Sequence, residues 1–336
     1  MRLDAILDAR APAAELAGLA ELAERCGLGG VWVSSLNDSR DPWANLVPAA
    51  QRTSRITLGP IAVNPYDTHP LKIAAGLLTL NELAAGRARA VVGGGGEALQ
   101  ALGLAPSRRV RAVREAVEII RAAASGAPVA YAGELFQVQG CRFGWVQAPA
   151  PPVCIAAGQA QMLRMAARCA DGVMLTDKIV EQIGGVREII DPELKRAGRD
   201  RAAFHLSNFW AWHVKKTRAE AETEARMNLT VRDVLSREKN SHFMSEADMR
   251  LVEKMRPSFL AALRNRSPVY EGVPERIIRS LVDNVTSCAG VDELDKEIGR
   301  LQAFESAGLT GIALRIYEKP EEAIRLLGTR VVPVFA

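Results

Sequence analysis

The chain alternates short apolar runs with longer segments in which apolar residues recur every three or four positions. The first pattern is typical of strands buried on both faces, and the second of helices that pack one face against a sheet. Eight strands are predicted, with no long linker between them. They are Leu3–Leu7, Gly30–Ser34, Ile56–Pro60, Ala88–Val92, Val153–Ala157, Gly172–Leu175, Phe204–Trp212 and Gly311–Ile316.

Amphipathic helices are predicted in the intervals between these strands. In the first of them, Leu16, Leu19, Ala20 and Ala23 share one face, and Gly27 ends the helix. Eight strand–helix alternations predict an α/β fold, a closed (β/α)8 TIM barrel. An open, doubly wound sheet is the alternative architecture. We expect one domain over residues 1–336.

Two segments interrupt the alternation. Residues 127–150 contain only short apolar runs separated by turn residues, which predicts a β-hairpin inserted before the fifth strand. Residues 217–274 are polar and helical, which predicts an insertion after the seventh strand. Loops that follow barrel strands lie over the active-site mouth. This second insertion is therefore either a lid or substrate pocket, or a helical surface decoration or dimer contact.

Composition excludes several classes of function. The 43 basic and 39 acidic residues are interleaved and give a net charge of +4, which disfavours nucleic-acid binding. Five scattered cysteines without a CxxC pair, and four dispersed histidines, indicate neither disulfides nor a metal site. The sequence has no apolar run long enough for a membrane span and no signal peptide, so a cytoplasmic protein is expected.

Glycine-containing turns follow the fourth and fifth strands. Such turns let backbone N–H groups approach a ligand, and a following helix N-terminus favours an anion. Neither turn is a GxGxxG or Walker motif, and a plain tight turn is the alternative interpretation of each. The residues predicted to bind a phosphorylated cofactor here are Gly93, Gly94, Gly95, Gly96, Ala157, Gly158 and Gln159, together with Thr176 at the end of the sixth strand.

The third strand is irregular. Gly59-Pro60 breaks it and Asn64-Pro65 ends it, and proline supplies no N–H group to a ladder. We therefore expect a bulge that pushes the backbone into the barrel mouth. Asn64 is predicted to hydrogen-bond the edge of a polar ring there.

Candidates for acid–base chemistry lie after the second strand and at the end of the seventh. Ser35 and Asp38 belong to a polar loop at the predicted mouth, whereas Asp41 before Pro42 has the pattern of a helix cap. Strand alternation places His213 on the same face as Phe209. No GxSxG motif or Ser-His-Asp order is present, which disfavours a hydrolase.

Several motifs follow one another along the chain. They are Gly30-Val31-Trp32-Val33, Arg40-Asp41-Pro42, Thr53–Gly59, Val63-Asn64-Pro65, His69-Pro70, Thr79–Arg87, the glycine loop, Ala156–Gly158, Ala170–Val173 and Ala307-Gly308-Leu309. This ordered set resembles the luciferase-like monooxygenase superfamily. It is most similar to the deazaflavin-dependent branch that includes methylene-tetrahydromethanopterin reductase.

The resemblance implies a barrel, usually dimeric, that binds coenzyme F420 or FMN at its mouth. It places the phosphate end at Gly93–Gly96 and Ala156–Gln159. It also places a non-prolyl cis peptide around Ile61 and Ala62, under the face of the deazaflavin. This chain departs from the relatives in carrying Ser35-Leu36 where many show Asp-His, and Ile6 where the reductase has Glu.

The expected activity is hydride transfer between F420 and a small organic substrate such as a methylene-pterin, an imine or an enone. Because the cofactor carries the chemistry, the protein is expected to fix the ring, position the substrate and exclude water. One alternative is an FMN-dependent monooxygenase supplied by a separate flavin reductase. The other is a flavin-binding relative without catalytic activity.

Overall fold

The computed structural model describes residues 1–96, 98–229 and 233–336. The strands are β1 (Arg2–Leu7), β2 (Gly30–Ser34), β3 (Thr57–Val63), β4 (Ala90–Val92), β5 (Val129–Ala132), β6 (Gln137–Cys141), β7 (Val153–Ala156), β8 (Gly172–Thr176), β9 (His205–Lys215), β10 (Ser287–Gly290) and β11 (Gly311–Arg315).

Helices fill the intervals between the strands. They are α1 (Ala13–Arg25), α2 (Pro42–Arg52), α3 (Pro70–Leu83), α4 (Ala98–Ala101), α5 (Arg109–Ala124), α6 (Ala160–Cys169), α7 (Val180–Arg196), α8 (Arg218–Asn228), α9 (Arg237–Asn240), α10 (Glu246–Lys254), α11 (Arg256–Asn265), α12 (Glu275–Val285), α13 (Leu294–Ala307) and α14 (Pro320–Leu326). None of the helices in the described ranges has the length and apolarity needed to cross a bilayer.

Eight parallel strands close into a barrel in the order β1-β2-β3-β4-β7-β8-β9-β11, and β11 pairs back onto β1. The prediction of a closed barrel is confirmed, and the alternative prediction of an open sheet is wrong. The third strand was predicted to end at Pro60, yet it continues to Val63. Pro60 pairs in register with Val33 of β2, and the irregular step lies beyond it, between Ile61 and Val63.

Both predicted insertions are present. Strands β5 and β6 form an antiparallel hairpin before β7, and α8 to α11 lie within the helical insertion, of which residues 230–232 fall outside the described part. Strand β10 was missed by the sequence prediction. It consists of four small residues, Ser-Cys-Ala-Gly, which form no hydrophobic run. It pairs with the carboxyl-terminal half of β9, from Trp212 to Lys215.

Two apolar layers sandwich the strands. A small cluster that includes Ile6, Trp32 and Met174 fills the barrel interior. Alternate strand residues face outward into the larger core under the helices, and Trp210 belongs to that layer, 5.2 Å from the ring of Phe304. The large aromatic side chain of Trp210 therefore fills the barrel wall and does not reach the mouth.

The amino-terminal end of the barrel is held by two charged residues. The carboxylate of Glu24 accepts hydrogen bonds from the N–H groups of Ser54, Arg55 and Ile56. Arg87 donates to backbone carbonyls on both sides of the same loop. Burial raises the pKa of Glu24, but the N–H donors outweigh that effect and lower it to about 2. These residues stabilise the end of the barrel away from the mouth.

Candidate active site

Strand alternation identifies the side chains around the carboxyl-terminal mouth. Residues two positions beyond those of the interior cluster face the same side of each strand. They are Asp8 after β1, Ser34 in β2, Gly93 after β4, Ala156 in β7, Thr176 in β8, Ala211 in β9 and Arg315 in β11. In the barrel order, β4 and β7 lie opposite β11 and β1. The glycine turns therefore face the polar residues Asp8 and Arg315 across the mouth.

Strand β3 supplies the irregular backbone between these halves. The peptide bond between Ile61 and Ala62 is cis, as the sequence resemblance implied. Ala62 is half-buried and packs against the interior cluster. A Cβ atom added to Gly93 would lie 3.2 Å from the Cβ of Ala62 and 3.6 Å from that of Ala156. These three small residues thus lie together as one apolar surface, here called the platform, and a side chain at Gly93 would crowd the other two.

The four glycines after β4 have different environments. Gly93 donates its N–H to the Val63 carbonyl at 2.8 Å, so this N–H ties the loop to β3. Gly95 has a φ of 68°, in the left-handed region that favours glycine. In the described part of the chain, no backbone acceptor is hydrogen-bonded to the N–H groups of Gly94, Gly95 or Gly96. The predicted contact with an anion would therefore have to come from these last three residues.

The second glycine turn lies beside the end of β8. Ala157 is buried and its N–H donates to Met174, whereas Gly158 and Gln159 are exposed where α6 begins. Thr176, the last residue of β8, is exposed at the mouth. The side chain of Lys178 passes close to Gly158, since an added Cβ would lie 3.9 Å from its Cε atom.

Lys178 was not predicted from the sequence. It follows a strand by two residues in a segment without glycine or a recognised motif, so no local signal marked it. Its side chain is mostly buried, and its ammonium group lies 3.7 Å from Glu238 in α9. The insertion therefore reaches the mouth, which supports its interpretation as part of the pocket.

Asn64 makes local hydrogen bonds at the end of β3. Its side-chain oxygen accepts from the N–H groups of Tyr66 and Asp67, and its side-chain nitrogen donates to the Asp67 carboxylate at 2.6 Å. These are the contacts of an Asx turn. The structure thus uses Asn64 to end the strand, and the predicted contact with a ring edge would have to displace these bonds.

Asp38 lies in an exposed ion pair. Its carboxylate accepts two hydrogen bonds from the Arg10 guanidinium at 2.7 and 2.8 Å. The hydrogen bond from Arg10 lowers the pKa of Asp38 below its ordinary value. The carboxylate is therefore ionised at neutral pH, a form that cannot donate a proton.

His213 is fully buried above the interior face of β9. It stacks on Tyr317 at 5.0 Å, and its Nδ1 atom lies 3.6 Å from the carboxylate of Glu224 in α8. Lys215 pairs with the same carboxylate at 2.6 Å. Burial raises the pKa of Glu224, but His213 and Lys215 outweigh it and lower the value. This cluster joins the insertion to the barrel, and it shields His213 from solvent.

Ser35, the third predicted acid–base candidate, is hydrogen-bonded to β3, the strand that carries Ala62 of the platform. Its N–H donates to the Ile61 carbonyl at 3.2 Å, beside the cis peptide. Alternation from Trp32, however, points the neighbouring Ser34 to the interior side of the mouth. The sequence prediction missed Ser34 and Arg315 because β2 and β11 are apolar on both faces, and it also missed Asp8, the residue after β1.

Comparisons with known proteins agree with this architecture. The model of the luciferase-like monooxygenase family matches residues 1–293. A 5,10-methylenetetrahydromethanopterin reductase of Archaeoglobus fulgidus is 29% identical over 330 residues, which cover 95% of each chain.

Two solved structures share the fold over the whole chain. The coenzyme F420-dependent tetrahydromethanopterin reductase of Methanopyrus kandleri has a TM-score of 0.84 at 20% identity and is 99% covered. An F420-dependent secondary alcohol dehydrogenase in complex with an F420–acetone adduct has a TM-score of 0.78 at 17% identity, also 99% covered. The family match spans most of the sequence and includes every strand at the mouth except β11. The chain belongs to the luciferase-like monooxygenase family.

Proposed function

We propose that this protein is a coenzyme F420-dependent oxidoreductase that transfers a hydride to or from a small organic substrate. The platform of Ala62, Gly93 and Ala156 is the observation that carries the proposal, because it brings three small apolar residues together beside the irregular backbone of β3. The similarity to a methylenetetrahydromethanopterin reductase over 95% of both chains, and the fold shared with the coenzyme F420-dependent tetrahydromethanopterin reductase, support the choice of F420. A methylene-pterin, an imine or an enone fits this chemistry.

The residues around the platform would bind different parts of the coenzyme. The N–H groups of Gly94 to Gly96, the exposed turn at Gly158 and Gln159, and the ammonium of Lys178 would hold the phosphate end. Ala62 and the backbone beside it would support one face of the ring system. When bound, the deazaflavin supplies or accepts the hydride, and the protein fixes its orientation.

The polar half of the mouth would bind the substrate. The carboxylate of Asp8 is partly exposed and lies 4.0 Å from the Arg315 guanidinium, whose side chain is mostly buried. A carboxylate in this position can accept two hydrogen bonds from the amino-pyrimidine edge of a pterin. The hydroxyl of Ser34, which strand alternation turns to the mouth, would hold a proton at the reacting substrate atom, and that of Ser35 is the alternative, whereas Asp38 is ionised and His213 is enclosed.

Fluorescence titration of the protein with F420 and with FMN tests the proposal. We expect preference for F420, and loss of that binding in Gly93→Ala because the added methyl would enter the platform. Gly184→Ala is a matched control, since an added Cβ there has open space around it. Binding of neither compound by the wild type would refute the proposed function, and equal loss in the control would refute the role of the platform.

Preference for FMN would instead favour a monooxygenase supplied with reduced flavin by a separate reductase. Binding without turnover of any tested acceptor would favour a non-catalytic flavin-binding relative. We also propose that the protein is a homodimer in the cytoplasm, by its resemblance to the family. Light scattering tests the dimer, and a monomeric mass would contradict it.

A further inference from the structure

An arginine-lined groove runs along the outside of the barrel between α5 and α6. It encloses about 1180 Å³. Six arginines and two glutamates line it: Arg108, Arg109, Arg111, Arg114, Arg164, Arg168, Glu118 and Glu134. We call this feature the arginine groove.

The arginine groove concentrates the charge of the protein. Its arginines exceed its glutamates by four, and the whole chain has the same excess, with 43 basic and 39 acidic residues. The rest of the chain is therefore nearly neutral. Four of the six arginines have acidic partners: Glu134 is shared by Arg108 and Arg111, Glu118 pairs with Arg114, and Glu193, outside the lining, pairs with Arg168. No carboxylate of the described residues lies within ion-pair distance of Arg109 or Arg164. The groove thus retains positive charge for an anionic ligand.

The start of α5 also departs from ordinary helix design. Acidic residues are favoured in the first turn of a helix, near the positive end of its dipole. The first turn of α5 has none, and it begins with Arg109 directly after Arg108, which adopts a left-handed backbone conformation with φ of 50°. Sequences depart from such local helix preferences most often at functional sites. A bound anion would relieve the repulsion.

The arginine groove is continuous with the glycine turns at the mouth. A Cβ atom on Gly94 would lie 3.3 Å from the Arg109 side chain, so the first turn borders the groove. Gln161, two residues after the second turn, lines it as well. From Gln161 to Arg168 the helix extends about 10 Å, the span of about three extended peptide residues. A ligand whose phosphate lies at the glycine turns would have its outer end at the entrance of the groove.

We infer that the arginine groove binds an anionic carboxylate chain that continues beyond the cofactor phosphate. This inference rests on the proposed function. Coenzyme F420 carries a chain of glutamate residues beyond its phosphate, whereas FMN ends at its phosphate. The groove therefore contributes affinity that FMN cannot gain, and it makes the protein select the deazaflavin by its tail.

The test compares F420 carrying several glutamates with the same coenzyme lacking them. We expect the wild type to bind the long form on the order of tenfold more tightly, with a difference that shrinks as salt is raised. Arg164→Glu should abolish the difference and leave the affinity for the short form and for FMN unchanged. Arg164→Gln, which removes one charge instead of reversing it, should give an intermediate result.

Arg25→Glu is the matched control. Arg25 is exposed at the end of α1, at the opposite end of the barrel, and its reversal changes the net charge equally. It should retain the full preference for the long form. Equal binding of the two forms by the wild type, or an unchanged preference in Arg164→Glu, would overturn the groove inference and leave the proposed function standing. Failure of both forms to bind would refute the proposed function itself.

Discussion

Asn208 clamps the backbone of Lys178 with two hydrogen bonds. Its side-chain oxygen accepts from the Lys178 N–H at 3.2 Å, and its side-chain nitrogen donates to the Lys178 carbonyl at 2.9 Å. Asn208 is fully buried in β9, 30 positions further along the chain. Asn208, in the barrel wall, thereby fixes the loop that follows the neighbouring strand β8. This loop carries the Lys178 side chain, which passes beside Gly158.

Asn208→Leu should weaken F420 binding and destabilise the fold. The substitution nearly preserves volume but leaves an N–H and a carbonyl without their partners, at a cost of about 1–3 kcal/mol in unfolding free energy. Urea denaturation and coenzyme titration measure the two effects. Asn284→Leu, which removes a side-chain hydrogen bond within α12, is the control and should leave coenzyme affinity unchanged. Wild-type affinity in Asn208→Leu would show that the clamp does not position Lys178.

Ser34→Ala should slow turnover by at least about tenfold, because a positioned proton-holding group contributes that much or more to a proton transfer. Ser35→Ala tests the residue predicted from sequence, and the larger loss identifies the hydroxyl nearer the reacting atom. Steady-state kinetics with F420 and an unsaturated acceptor provide the measurement. Wild-type turnover in both variants would remove the serines from the reaction.

Asp38→Asn should leave the turnover rate within about twofold of the wild type, since an ionised carboxylate supplies no proton at neutral pH. The Arg10 ion pair is lost in this variant, but it is exposed and worth little. The same steady-state assay measures the effect. A fall in turnover of about a hundredfold or more would restore Asp38 as the acid.

Glu224→Gln should destabilise the junction between α8 and β9 at pH 7, by about 1.5–3 kcal/mol for a hydrogen bond to a charged group. The pKa of Glu224 is lowered in the fold, so its stabilisation is complete above the ordinary value of 4.5 and is lost as pH falls below it. The variant should therefore show a flatter decline of Tm with acid. Glu220→Gln, on the exposed side of the same helix, should reproduce the wild-type pH profile.

Glu24→Gln should reduce the pH dependence of the protein's stability, since Glu24 stabilises the amino-terminal end of the barrel. The pKa of Glu24 is about 2 in the fold and 4.5 ordinarily, so its contribution is full above 4.5 and is lost as pH falls towards 2. Coenzyme affinity should not change, because Glu24 lies far from the mouth. A parallel loss of F420 binding would contradict the separation of a stabilising end from a functional end.

Much of the fold was predictable because the barrel strands are continuous apolar runs. The irregularity of β3 was also anticipated, but its position was not, because Gly59 and Pro60 lie in regular strand and the register shifts only between Ile61 and Val63. Strand β10 escaped prediction because Ser287–Gly290 has no large apolar side chain, and it forms only where the carboxyl-terminal half of β9 offers it a partner.

The same apolar character concealed the orientation of the functional side chains. A strand buried on both faces has no polar alternation, so the sequence did not distinguish Ser34 from Ser35 or mark Arg315 as facing the mouth. Ion-pair partners that are distant along the chain could not be predicted from the sequence either. Arg10 makes Asp38 an ionised carboxylate from 28 positions away, and Glu224 encloses His213 from a helix of the insertion.

The sequence by itself determined the order of the barrel strands and helices, the two insertions and the positions of the glycine turns. Those features depend on local periodicity and on the absence of a side chain, which each segment carries alone. The tertiary structure decided which side chains face the mouth, which carboxylates are paired and where positive charge accumulates. These properties arise from closure of the barrel, because closure brings residues distant in sequence within the few ångströms over which charges and hydrogen bonds act.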